Sequence, residues 1–172
     1  RGREWYRPLL PIAQMYHVYT DTKVPYNLYG NRQDGASRGG PSNSLTGGSI
    51  PISAFKSVGG CESGFAVPDT VTNDVVWSGC YDSLLDRYDL RTGHAQNVSV
   101  WPDNPEGWAA ADLKYRFQWN APIRIGKHDP GVLYHTSNYV HKSTDEGQSW
   151  RIISPDLTVA NTEMLQTAGG PI

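Results

Sequence analysis

An all-β fold is what this sequence predicts, on three observations: its composition, a strand–turn–strand unit that recurs along the chain, and alternation of apolar and polar residues with a period of two. The 172 residues include 18 Gly, 12 Pro, 10 Tyr and 6 Trp, with only 19% charged side chains. Aromatic residues favour strands, and Gly and Pro favour the tight turns between them.

The repeat organises the rest. Met15 to Asp21, a Val-Pro turn and Asn27 to Gly30 make the first unit; Gly64 to Asp69, a Thr-Asn-Asp turn and Val75 to Gly79 the second; Pro122 to Asp129, a Pro-Gly turn and Val132 to His135 the third. The aromatic residue near the end of the second strand falls at Tyr29, Trp77 and Tyr134, with spacings of 48 and 57 residues. A period of this size is that of a propeller blade of four strands. The expected architecture is a β-propeller segment of about three four-stranded blades, over roughly residues 10–58, 59–107 and 108–160, with 161–172 as a tail or linker. A blade has two apolar faces and buries them only against its neighbours. Three blades leave two faces bare, so the expectation is a larger ring completed by blades of a longer parent chain or of another chain.

Other readings are narrowed by charge and cysteine usage. The formal net charge is −2 and the 15 Lys and Arg are scattered, which leaves no basic footprint for nucleic acid. No apolar run approaches the ~18 residues of a membrane span. Cys61 and Cys80 flank one expected hairpin, with strands near 63–67 and 75–79; pairing Ala66 with Trp77 puts the two cysteines nearly opposite each other. They either form a disulfide, which implies an oxidising compartment, or are two separately buried thiols. The sequon at Asn97 permits glycosylation where the host carries it out.

The sharpest local motif is Ser143-Thr-Asp145-Glu-Gly147-Gln-Ser-Trp150. Asp145 is suited to accept hydrogen bonds from the backbone of its own turn, Gly147 to supply a positive φ, and Trp150 to pack over the turn. This run matches the Asp-box pattern Ser-x-Asp-x-Gly-x-x-Trp at each fixed position. With Leu10 to Val18, Tyr29 to Asp34, Gly59 to Gly64 and Trp108 to Trp119, the chain over roughly residues 5–160 resembles the Asp-box (BNR) repeat propellers, a group that includes sortilin-type (Vps10) domains and xyloglucanase-type glycoside hydrolases. The resemblance implies a secreted protein, extracellular or periplasmic, in which the Asp box (Ser143, Asp145, Gly147, Trp150) is structural. Fold-level likeness of this kind assigns no activity. The second blade carries Tyr88 to Gly93 in the equivalent place, and the first the Gly- and Ser-rich run 35–53, either a loop over one mouth of the ring or a flexible insertion.

Residues 112–125 alternate most cleanly, with Asp112, Lys114, Arg116, Gln118, Asn120 and Arg124 on one side and mostly aromatic or aliphatic residues on the other. That pattern predicts an extended segment leading into an innermost strand. Its polar side faces either a channel or solvent. With Arg32, the residues Lys114, Arg116 and Gln118 are candidate ligand contacts. Asp34, Glu62 and Asp112 are candidate catalytic carboxyls, because glycoside hydrolysis needs two such groups about 5–10 Å apart; the alternative is that they cap turns. Trp5, Trp101, Trp108 and Trp119 either stack on sugars or fill the spaces between blades. The five His show no metal-ligand spacing, so no metal or cofactor is assigned; calcium on loop carboxylates is compatible with a secreted propeller, without a ligand set. Two functions remain: a module that binds a glycan or protein ligand, which is favoured, and part of a glycoside hydrolase.

Overall fold

A computed structural model of the chain describes Glu4 and residues 13–45 and 47–167. Trp5, the first residues of the expected first blade and the last five residues of the expected tail lie outside the described residues. The fold is all-β, with three four-stranded antiparallel sheets and only two single-turn 3-10 helices, Ile52–Ala54 and Ala110–Asp112, among the described residues.

The first sheet contains β1 (Met15–Thr20), β2 (Asn27–Arg32), β3 (Arg38–Pro41) and β4 (Lys56–Ser57). The second contains β5 (Ala66–Pro68), β6 (Val75–Gly79), β7 (Leu85–Asp89) and β8 (Ala95–Asn97). The third contains β9 (Ile123–Ile125), β10 (Leu133–Thr136), β11 (Val140–Ser143) and β12 (Arg151–Ile152). Each is a simple meander in which every strand pairs with the next.

Burial separates the second sheet from the others. All five residues of β6 are buried, and because side chains alternate across a strand they serve two cores. Val75 and Trp77 join Phe65, Val67, Leu85, Val98, Ile123 and Leu133 against the third sheet. Val76 joins Tyr29, Val58 and Ala66 against the first sheet, where the Ser78 hydroxyl donates to the Val58 carbonyl at 2.7 Å. Each fully buried Leu, Ile or Val of these cores contributes about 1.5–3 kcal/mol. Close approach also depends on Gly39, where an added Cβ would sit 2.8 Å from the Tyr29 ring. β1 and β2 lie against β5, and β5 lies against β9. Phe65 is their meeting point: the His17 ring stacks on it at 4.0 Å and the Arg124 guanidinium lies 5.0 Å from its centroid. The sheets do not close into a ring.

Three local expectations are corrected. The alternating segment from Asp112 is not a strand until Ile123. Its apolar side chains are satisfied by packing on the third sheet, where Phe117 lies 5.2 Å from the His135 ring and Tyr115 4.8 Å from His141, while the Arg116 amide bonds the Asn138 side chain at 3.0 Å instead of a neighbouring strand. In the second sheet the register is displaced by one residue: Trp77 pairs with Val67, and Ala66 with Ser78. Cys61 and Cys80 nevertheless form a disulfide, with Cα atoms 4.8 Å apart. The run 35–53, expected to be a loop over one mouth of the ring or a flexible insertion, contains β3, because its glycines fit beneath Tyr29 and Phe55.

Candidate functional site

In a four-stranded meander the first and third turns fall at one end, and the second turn and the links between sheets fall at the other. Hydrogen bonds between sheets align these ends: the Thr22 amide bonds the Asn73 side chain at 3.0 Å at the turn end, and the Gly64 amide bonds the Asn120 side chain at 2.9 Å at the link end.

At the turn end most aspartates are used by their own turn, while Asp74 pairs with Arg91 of the next turn at 3.6 Å. Asp21 accepts from the amides of Lys23 and Asn27, Asp69 from Val71 and Thr72, and Asp89 from Arg91 and Thr92. In the Asp box, Asp145 accepts from the hydroxyls of Ser149 and Ser143 and from the Ser149 amide at 2.9 Å. The Ser149 and Ser143 hydroxyls hold its carboxyl down to about 2, since hydrogen bonds to a carboxylate favour its charged form. Gly147 takes φ +93° and the Trp150 indole donates to the Val98 carbonyl at 2.9 Å. The box is thus also a clamp between sheets: Trp77 donates to the Glu146 carbonyl at 3.2 Å and Arg87 pairs with the Glu146 carboxylate at 2.6 Å.

Side chains of the link end bond to one another across sheets. Gln33, in the turn after β2, donates to Glu62 at 2.6 Å and to Asp34 at 3.1 Å. The Asp34 amide donates to Glu62 at 3.1 Å. Two of the three carboxyls singled out in the sequence are therefore gathered on one amide nitrogen. The network continues from the Tyr16 hydroxyl, which donates to Gln33, to the Trp119 indole, which donates to Tyr16 at 3.2 Å. Trp119 is 47% exposed and stacks on Tyr81 with centroids 5.0 Å apart. Beneath them, Asn31 is wholly buried and its amide reaches the carbonyls of Ser63 and Gly79 at 2.6 and 3.0 Å. The Asn31 peg ties the Glu62 loop to the first sheet, and the Cys61–Cys80 disulfide ties it to the second.

The other candidates lie elsewhere. Asp112 is exposed in the 3-10 turn whose neighbouring Ala111 amide bonds the Leu165 carbonyl. Arg32 ends β2, and a Cβ on Gly35 would stand 2.7 Å from its Nε. Lys114 places its ammonium 3.3 Å from the Trp101 centroid, Arg116 pairs with Asp156 at 2.7 Å, and Gln118 accepts from the Asn120 amide. Trp108 is exposed. Gln33, Tyr16 and Tyr81 were missed as site residues; only the position of Gln33 between Arg32 and Asp34 pointed to it. Buried His135 and His141 are held down to about 4 by burial, which keeps both rings neutral within the core. No group of three or more His, Cys, Asp or Glu is placed to hold a metal ion among the described residues, and no helix among them is long and apolar enough to cross a membrane.

Comparison with known proteins adds no assignment: no protein-family model matches the chain, and no curated protein matches it.

Proposed function

We infer that the chain is a secreted propeller module of the Asp-box kind whose link end binds a glycan. The observation that carries this reading is the half-exposed Trp119 stacked on Tyr81, beside the network of Gln33, Asp34 and Glu62. Sugar rings offer C–H faces for aromatic stacking and hydroxyls for carboxylates and amides, so an aromatic platform bordered by acceptors suits them. The three sheets are blades of a larger ring, which is supported by the meeting of β1, β5 and β9 around Phe65 and by the covering of the second sheet on both sides. The Cys61–Cys80 disulfide supports an extracellular or periplasmic location.

A glycan array followed by calorimetry tests the reading. Binding of at least one glycan that is lost in Trp119→Ala, at unchanged melting temperature, is the expected result, and no glycan binding to the chain overturns it. A second reading, glycoside hydrolysis, is favoured by the gathering of Asp34 and Glu62 on one amide nitrogen. Polysaccharide turnover abolished by Asp34→Asn and by Glu62→Gln distinguishes it from binding alone.

A further inference from the structure

Beside the Trp119 platform, the β6–β7 turn and the link that follows β8 enclose a cavity of about 130 Å³, lined by Asp82, Asp103, Trp101, Tyr115 and Phe117 among others. At ~30 Å³ per water, this is room for a small head group of about four waters. We propose that the cavity is a second binding site, which takes an organic cation: the alkylammonium of a lysine-type side chain presented by a protein or peptide partner.

Its walls have the chemistry of a cation cage. Aromatic faces attract ammonium groups through their quadrupole, and Trp101, Tyr115 and Phe117 supply three rings. Asp82 and Asp103 supply carboxylates, and neither makes a side-chain hydrogen bond or ion pair with the described residues. Glu106 adds negative charge nearby: burial first, and then the charge of Glu106, raises the Asp82 carboxyl above its ordinary value. The chain's own Lys114 shows that the rings accept an ammonium, since its Nζ sits 3.3 Å from the Trp101 centroid and 5.3 Å from that of Tyr115, with no carboxylate partner. Lys114 thus occupies the aromatic part of the cage while the two carboxylates stay unpaired.

The turn that presents Asp82 is held in an unfavourable conformation. Asp82 and Ser83 take φ of +56° and +76° in succession, a region costly for residues with a Cβ and found where surrounding structure fixes it. Here the Cys80 amide bonds the Leu84 carbonyl at 2.9 Å, and the Ser83 hydroxyl donates to the Trp101 carbonyl at 3.0 Å. The bond to Trp101 ties the carboxylate-bearing turn to the aromatic wall.

The test titrates the chain with Nα-acetyl-lysine N-methylamide, following tryptophan fluorescence, and repeats the titration with the Nε-acetylated compound and with methyl glucoside. The expected result is saturable binding of the charged compound alone, weakened at least ~10-fold in Asp82→Asn and tightened in Lys114→Met, where the internal competitor is gone. Asn tolerates the left-handed conformation, so Asp82→Asn should keep its melting temperature; Trp119→Ala, which removes the neighbouring platform, should bind the lysine compound normally. Equal binding of the Nε-acetylated compound, unchanged affinity in Asp82→Asn, or no saturable binding to either the natural chain or Lys114→Met overturns the proposal.

Discussion

The two ends of the molecule use the same residue types in opposite ways. At the turn end, aspartates are consumed by backbone amides a few residues away, as Asp145 is by Ser149 and Asp89 by Arg91 and Thr92. At the link end, Glu62 bonds to the Gln33 side chain and the Asp34 amide, both brought in from another part of the chain, Asp34 shares the same Gln33 nitrogen, and an exposed indole continues the network. An acidic residue already accepting several bonds from its own turn has little acceptor capacity to spare for a ligand. One gathered with others from separate parts of the chain retains more.

Four measurements test this contrast. Replacing both Cys61 and Cys80 with Ala should lower the denaturation free energy by about 3 kcal/mol, as expected for a loop of this size, and should weaken glycan binding because the Glu62 loop is released. Stability loss with intact binding would separate the disulfide from the site. Gly147→Ala should cost about 1–2 kcal/mol through its positive φ, with further crowding because the new Cβ would lie 3.0 Å from Val98, and should leave glycan affinity unchanged in calorimetry. Trp119→Ala should do the reverse, lowering affinity ~10-fold, or about 1.4 kcal/mol, at constant melting temperature.

The smallest effect is an acid titration of the Asp box. The folded carboxyl of Asp145 lies at about 2, below the ~3.9 of an unfolded aspartate. Its contribution is therefore complete above pH ~4 and is lost as the pH falls toward about 2. Comparison of the natural chain with Asp145→Asn should show a stability difference that shrinks over that interval, and a difference constant with pH would remove Asp145 from the role of turn acceptor.

Much of the fold was legible because it is local. The Asp-bearing turns and the aromatic of each second strand depend on a few neighbouring residues and recur in the three sheets, although Tyr29, Trp77 and Tyr134 lie within their strands and do not close them; the Cys61–Cys80 pairing is equally local. The register in the second sheet was misplaced by one residue because β5 begins at Ala66, with Ser63 and Gly64 drawn away by Asn31 and Asn120. Residues 113–122 illustrate the opposite limit. Alternation shows which side chains are to be buried, but a strand also needs a backbone partner, and here the rings of Tyr115 and Phe117 found histidines on a sheet face while the backbone found side chains.

The candidate site was legible as residue types and not as a set. Asp34, Glu62 and Trp119 were each recognisable, yet Asp112 looked equivalent to them and lies in a separate turn. The strand–turn–strand units, the turn chemistry and the residues apolar enough to be covered could be read from the residues in order, because those follow from propensities and hydrogen bonds over a few positions. Which acidic groups meet was settled by tertiary packing, since Gln33 and Glu62, 29 residues apart, come together only when the first sheet packs on the second around Tyr29, Val58, Ala66 and Val76.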